Sequence, residues 1–122
     1  MEHKDLTFGE YILKKRKEHP LPARQLAITI GITPEYMCEL EKGRKSAVSG
    51  EIMDRLIYAL HLSEEEIESF YDLAAIARNT VSADLPEYIM ANELVREALR
   101  TAKKNNVPDE KWIKFINEII KE

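Results

Sequence analysis

Side chains that could carry out catalysis or bind a metal are few and dispersed along this chain. The single cysteine, Cys38, has no histidine near it in sequence to act as its base, so a packing or surface role is favoured over a nucleophilic one. The three histidines, at positions 3, 19 and 61, lack metal-ligand spacing. The carboxylates Glu64–Glu66 follow Ser63 and match a helix start better than a metal site. The sequence therefore predicts a protein that is not an enzyme and needs no metal or other cofactor.

The charged residues are distributed unevenly, and this bears on binding to nucleic acid. The formal net charge is −4, which is unusual for a protein that binds a polyanion. Lys and Arg outnumber Asp and Glu by ten to nine in residues 1–62, but are outnumbered by thirteen to eight in residues 63–122. A phosphate-binding surface is therefore expected only in the first half. Its candidates are Lys14, Lys15, Lys17, Arg24, Lys42, Arg44 and Lys45.

The composition favours a globular chain that stays in the cytoplasm. Hydrophobic residues make up 44% and charged residues 33% of the sequence, which argues against a disordered protein. No apolar run approaches the roughly 20 residues that cross a bilayer. The N-terminal residues lack the layout of a secretion signal, and a single cysteine permits no internal disulfide. We expect a cytoplasmic protein that does not associate with membranes.

Apolar residues recur at helical spacing throughout, without sustained strand alternation, which predicts an all-α fold. Thr7 is expected to cap a first helix. A second helix is predicted over Pro22–Ile30, and Gly31 permits a sharp turn after it. Thr33 is the expected cap of a third helix that ends near Lys42. These signals place two short helices on either side of a glycine turn.

Two more helices are predicted to complete a first domain, residues 1–78. Ser49 is the expected cap of the fourth, and Ser63 with Glu66 forms a capping box for the fifth. The residues that the fifth helix is expected to bury are Ile67, Phe70, Tyr71 and Ala74. Residues 79–122 form a predicted helical extension that begins with a joint at 79–84. Its last helix is apolar over more than one stripe and requires a cover.

Residues 21–43 combine the glycine turn with an apolar set that would lock the two short helices together. The set consists of Leu26, Ala27, Ile30, Ile32, Met37 and Leu40. This segment resembles the Cro and lambda-repressor-like helix-turn-helix proteins, also called the XRE family, which bind operator DNA and control transcription. The matching residues are Leu26-Ala27, Gly31-Ile32-Thr33, Tyr36-Met37 and Leu40-Glu41-Lys42-Gly43, followed by Leu56, Ala59 and Leu60. The resemblance covers residues 8–77 and implies a five-helix lambda-repressor-like domain, and the tail is similar to those of some mobile-element regulators.

The resemblance also implies which residues meet DNA. The helix that begins at Thr33 would enter the major groove and read base edges. Its groove-facing positions would be Thr33, Glu35, Tyr36, Cys38, Glu39 and Lys42. The preceding helix would lie across the DNA backbone, with Arg24, Arg44 and Lys45 supplying positive charge to phosphates. In this family, an arginine at the place of Arg16 usually pairs with the glutamate at the place of Glu41, so a structural ion pair is expected here.

Two residues of the predicted DNA-binding surface depart from the usual pattern of the family. Ala23 stands where members often have glutamine, and Glu39 stands where they often have a basic or polar residue. Glu35 and Glu39 are four residues apart and share one helix face. A carboxylate is repelled by phosphate but accepts a hydrogen bond from the amino group of cytosine. We therefore expect Glu35 or Glu39 to read cytosine and to weaken binding to other DNA.

The function predicted from these features is that of a sequence-specific DNA-binding transcriptional regulator, most simply a repressor, with double-stranded operator DNA as its partner. The apolar surface of the last helix either packs on the fifth helix or pairs with a second copy. Because operators of this family are usually two-fold, a homodimer through the C-terminal helices is expected. The alternative is a protein-interaction module, such as an antitoxin or adaptor, whose acidic face contacts a basic protein.

Overall fold

The computed structural model describes residues 6–45, 48 and 50–121, and all regular secondary structure in these ranges is helical. The helices there are α1 (Phe8–Glu18), α2 (Ala23–Ile30), α3 (Pro34–Glu41), α4 (Gly50–Ala59), α5 (Glu64–Arg78), α6 (Pro86–Ala91), α7 (Glu93–Lys104) and α8 (Asp109–Lys121). The prediction of an all-α chain, with five helices followed by a helical extension, is confirmed.

The chain forms two compact units, Met1–Asp84 and Leu85–Glu122. The first unit therefore runs six residues beyond the boundary predicted between 78 and 79. The reason lies in the contacts that follow α5: the Thr80 N–H donates to the Ala75 carbonyl at 2.9 Å, and the buried Ser82 hydroxyl donates to the Asp72 carboxylate. The segment that was predicted to be a joint is thus bound back onto α5.

The ends of the helices follow from local hydrogen bonding in the way the sequence indicates. Thr7 and Ser63 each form a capping box at the starts of α1 and α5. Pro22 differs from its prediction as a first helical residue, because its extended ψ of 144° makes it the N-cap of α2. Ser49, the expected cap of α4, lies outside the described residues.

The core of the first unit is assembled where α3 packs against α1 and α2, α2 against α4, and α1 against α5. Its buried apolar side chains include Phe8, Tyr11, Ile12, Leu26, Ala27, Ile30, Met37, Leu56, Leu60, Phe70, Leu73 and Ala74. The prediction for α5 is wrong at Ile67 and Tyr71, which are half-buried, while Leu73 and Ala75 are buried instead. The buried residues of α5 are therefore Phe70, Leu73, Ala74 and Ala75.

One close contact between backbones sets the distance between α1 and α3. Gly9 is buried in α1, and a Cβ added to it would stand 2.1 Å from the Leu40 carbonyl oxygen and 2.7 Å from the Glu41 carbonyl oxygen. No side chain fits between the two backbones at this point. Gly9 is therefore the residue that lets the last turn of α3 lie directly on α1.

Lys15, a predicted phosphate ligand, is instead a buried member of the core. Its ammonium group is ion-paired with Glu66 and, at 3.3 Å, with Glu18. Burial alone would lower the pKa of Lys15, but the hydrogen bonds to the two carboxylates outweigh it and raise the pKa above the ordinary value. The same contact with Lys15, together with the Ser63 N–H, lowers the pKa of Glu66. Lys15 is thus removed from the candidate phosphate surface.

The Lys15–Glu66 pair predicts how stability depends on pH. Because the folded-state pKa of Glu66 is depressed below 4.5, its contribution is present above that pH and is lost as the pH falls through the folded-state value. We expect Glu66→Gln to lower the free energy of unfolding by about 2 kcal/mol near neutral pH and to flatten its acid dependence. Urea denaturation across the acid range measures both effects. Glu65→Gln is the matched control, and an equal effect there would contradict the prediction.

The second unit exposes most of its apolar side chains. In it α6 packs against α7, and the Arg96 guanidinium donates to the Met90 carbonyl at 2.6 Å and to the Ile89 carbonyl at 3.1 Å. No residue of the described parts of α6, α7 and α8 is buried. The large exposed apolar side chains of α7 and α8 are Leu94, Leu99, Ile113, Phe115, Ile116, Ile119 and Ile120. This unit therefore presents an apolar surface that is large for its size.

Candidate nucleic-acid interface

Helices α2 and α3 form a helix-turn-helix around a glycine in the left-handed region. Gly31 has φ 82°, its N–H donates to the Ala27 and Ile28 carbonyls, and the Ile32 N–H donates to the Ala27 carbonyl at 3.0 Å. Five members of the predicted locking set, Leu26, Ala27, Ile30, Met37 and Leu40, are buried, and Ile32 is partly buried. The turn and the apolar contacts together fix the direction in which α3 leaves α2.

Arg55 of α4 is hydrogen-bonded to this turn, and it is not among the residues predicted from the sequence. Its Nη1 donates to the Ile30 carbonyl at 3.1 Å, and its Nη2 is ion-paired with Glu51. The same Nη1 is 2.9 Å from the position that a Cβ on Gly31 would take. The only signal in the sequence was the spacing of Glu51 and Arg55, which is typical of any exposed helical pair. Gly31 thus serves both the turn and the approach of Arg55.

The C-terminal end of α3 is held by Arg16 of α1. The Arg16 Nε donates to Glu41 Oε2 at 2.7 Å and its Nη2 donates to Glu41 Oε1 at 3.1 Å, which makes the pair bidentate. The Arg16 Nη1 also donates to the Leu21 carbonyl at 3.1 Å, at the entry to α2. The two side chains are only 13% and 10% exposed. One guanidinium therefore joins α1, the α1–α2 connection and α3.

The side chains expected to face the groove lie at or near the surface of α3. Thr33, Glu35, Cys38 and Lys42 are exposed, while Tyr36 and Glu39 are half-buried. The Thr33 hydroxyl is the N-cap and accepts the Tyr36 N–H at 3.0 Å. Part of the hydrogen-bonding capacity of Thr33 is thus used inside the protein.

The two carboxylates of this surface differ in their surroundings. The Arg44 Nη1 lies 3.5 Å from Glu39 Oε1, and the N–H groups of Arg44 and Lys45 donate to the Glu39 carbonyl at 2.9 and 3.3 Å. The chain after α3 is therefore folded back against the last turn of that helix. Arg44 offsets the negative charge of Glu39. Glu35 stands exposed in the first turn of α3, and the next basic residue in sequence, Lys42, is seven residues away.

The first turn of α2 is not capped by a side chain and carries a cation. The N-cap of α2, Pro22, makes no side-chain cap hydrogen bond to the first turn. Arg24 in that turn is exposed. Exposed basic residues of the first unit that remain as phosphate candidates are Lys14, Lys17, Arg24, Lys42, Arg44 and Lys45. A helix start that has no side-chain cap and carries Arg24 in its first turn is suited to binding an anion.

Neither a metal centre nor a membrane-spanning helix is found in the described part of the chain. Residues 6–45, 48 and 50–121 contain no group of three or more His, Cys, Asp or Glu side chains placed to hold a metal ion. None of the described helices combines the length and the apolar character that crossing a membrane requires.

Comparisons with known proteins do not assign this chain to a family. No protein-family model matches the chain. No curated protein matches it either. In a solved structure of the SinR protein/SinI protein complex, one chain is similar at 17% sequence identity with a TM-score of 0.44, over 92% of this chain and 93% of that chain. The relation to the Cro and lambda-repressor-like family thus stays a resemblance that is carried by residues 8–77.

Proposed function

We propose that this chain is a cytoplasmic, sequence-specific DNA-binding transcriptional regulator, most simply a repressor, which acts by binding and carries out no catalysis. The observation that supports it is the helix-turn-helix itself. Its α3 has an exposed polar surface, the Arg16–Glu41 pair holds the last turn of that helix, and Arg55 holds the turn that precedes it. A helix fixed in this way and open to solvent is suited to the major groove.

In this proposal the residues have separate tasks. The first turn of α2 and the side chains of Arg24, Arg44 and Lys45 contact phosphates and set the register of the protein on the duplex. The base-reading positions are on α3, namely Thr33, Glu35, Tyr36, Cys38, Glu39 and Lys42. Glu35 or Glu39 accepts a hydrogen bond from cytosine.

We also propose that two copies pair through α7 and α8. These helices have no buried residue and expose long apolar side chains. Residues 85–122 contain seven acidic and seven basic side chains, so two copies meet without net charge repulsion. A unit of fewer than about 40 residues is rarely stable without such help. A two-fold pair would place two α3 helices about 34 Å apart along one side of a duplex.

The test is selection of bound sequences from a random duplex library at about 150 mM salt. We expect one recurring site with two half-sites. Binding should weaken as salt rises, and Arg24→Met or Lys45→Met should each reduce the salt slope by about one without changing base preference. Glu39→Gln should relax the preference for cytosine at one position of each half-site.

Arg78→Met is the matched control for loss of charge, since Arg78 is exposed in the last turn of α5 and lies outside both the helix-turn-helix and the proposed pairing helices. An equal loss of affinity with Arg78→Met would show that charge acts without regard to position. If the library yields no enriched sequence, the proposal is wrong.

The acidic character of α3 favours one other function, a protein-interaction module. Glu35 is exposed in its first turn and the net charge of the chain is −4. A basic protein surface is the partner that such a helix would suit. The same duplex library distinguishes the two functions, because an interaction module should retain no duplex at any salt concentration. In a separate pull-down, such a module should capture basic rather than acidic polypeptides.

A further inference from the structure

Two histidines that are 42 residues apart in sequence meet at the surface of the first unit. The ring centroids of His19 and His61 are 5.2 Å apart and their planes cross at 65°. Both residues are exposed. The sequence spacing gave no sign of this contact, since the histidines of metal sites usually stand within a few residues of one another or of cysteines.

The backbone on both sides of the pair is anchored. His19 is the C-cap of α1, where its N–H donates to the Arg16 carbonyl at 3.3 Å. His61 has φ 54°, and its N–H donates to the Tyr58 carbonyl at 3.2 Å just after α4. Its neighbour Leu60 is fully buried in the core. The two rings are therefore carried by fixed helix ends rather than by long free loops.

The separation of the rings matches what one metal ion requires of two imidazoles. Zinc–nitrogen bonds of about 2.0–2.1 Å place each ring centroid about 3.2 Å from the metal, so two rings at a tetrahedral angle have centroids about 5.2 Å apart. Because both side chains are exposed, their rings can turn about the side-chain torsions without moving the helices. The two rings thus already stand at the separation that a chelate requires.

The residues next to the pair in sequence carry both signs of charge. Glu18 precedes His19, Glu64 and Glu65 follow His61 closely, and Arg16 and Lys17 stand before Glu18. Lys15 is engaged by Glu18 and Glu66 and Arg16 by Glu41, so the positive charge of these two side chains is offset within the protein. No third protein ligand is placed for a closed site among the described residues, so water would fill the remaining positions.

We propose that His19 and His61 together chelate one divalent transition-metal ion of the zinc type in an open, partly hydrated site. The ion would join the end of α1 to the turn between α4 and α5. Because an unfolded chain does not hold the two rings at this distance, binding stabilises the folded state. This proposal is independent of whether the chain binds DNA.

Isothermal titration of the full chain with zinc ion alone tests it. We expect one equivalent to bind and the thermal unfolding midpoint to rise with zinc concentration. His19→Gln and His61→Asn should each weaken binding by about tenfold or more and remove the zinc-dependent shift. Asparagine is chosen at position 61 because it tolerates the positive φ. Circular dichroism without zinc checks that both variants remain folded.

The remaining soft ligands of the chain provide the controls. His3→Gln and Cys38→Ser should leave the zinc affinity unchanged; the Cys38 variant is needed because an exposed thiol is also a zinc ligand. Zinc binding that survives in both His19→Gln and His61→Asn, or that disappears in Cys38→Ser, would overturn the proposal. So would loss of binding in only one of the two histidine variants, because a chelate needs both rings.

Discussion

Gly9→Ala is expected to lower the free energy of unfolding by about 3 kcal/mol, the upper end of the usual cost of overpacking. The added methyl group would stand 2.1 Å from the Leu40 carbonyl oxygen, and its neighbours on this side are backbone atoms of α3. Backbone atoms cannot rotate out of the way, so α1 and α3 must separate. Urea denaturation followed by circular dichroism measures the change.

Gly50→Ala is the matched control for this prediction. Gly50 also begins a helical stretch, but a Cβ there would meet nothing within 4 Å. Alanine favours a helix over glycine by about 1 kcal/mol, so this variant should be as stable as the parent or slightly more so. If Gly9→Ala and Gly50→Ala had the same stability, the close packing of α1 on α3 would be disproved.

Arg16→Met is expected to cost a similar amount, about 3 kcal/mol, for an electrostatic reason. It leaves the Glu41 carboxylate, only 10% exposed, without its bidentate donor, and leaves the Leu21 carbonyl without a hydrogen bond. Removing one partner of a buried pair is costly because the remaining charge is not solvated. Stability is again measured by urea denaturation.

The double variant Arg16→Met with Glu41→Leu separates stability from geometry. Two apolar side chains in place of the pair should recover most of the lost stability, since the desolvation of both charges is avoided. If the pair also sets the position of α3, the double variant should still bind duplex DNA more weakly than the parent in a filter or anisotropy titration. A double variant as unstable as Arg16→Met would contradict the first expectation, and unchanged DNA affinity would contradict the second.

The helix ends and the turn were predictable because their chemistry is local. Thr7, Ser63 and Gly31 each act within four residues of their own position, so the sequence alone shows the partners. The apolar set of α2 and α3 was predictable for a similar reason, since its spacing repeats along the helices. The predicted pairing of Arg16 with Glu41 came from the family resemblance, not from either residue's own surroundings.

Other features depend on contacts between distant segments, which the sequence does not show. Lys15 looked like any other basic residue of α1, and only packing of α1 on α5 buries it beside Glu66. Gly9 gave no turn signal, because its task is to admit a second backbone. The same applies to Arg55 and to the meeting of His19 with His61. In each case the partner is decided by the tertiary arrangement.

The carboxyl group of Glu66 takes part in two interactions, a helix cap and a buried ion pair. It accepts the N–H of Ser63, which starts α5, and it receives the ammonium group of Lys15 from α1. Fraying of the first turn of α5 would therefore also separate the buried Lys15 ammonium group from its main counter-charge. Local opening at that point therefore carries an added electrostatic cost, and we expect the first turn of α5 to open together with its contact to α1 rather than to fray alone.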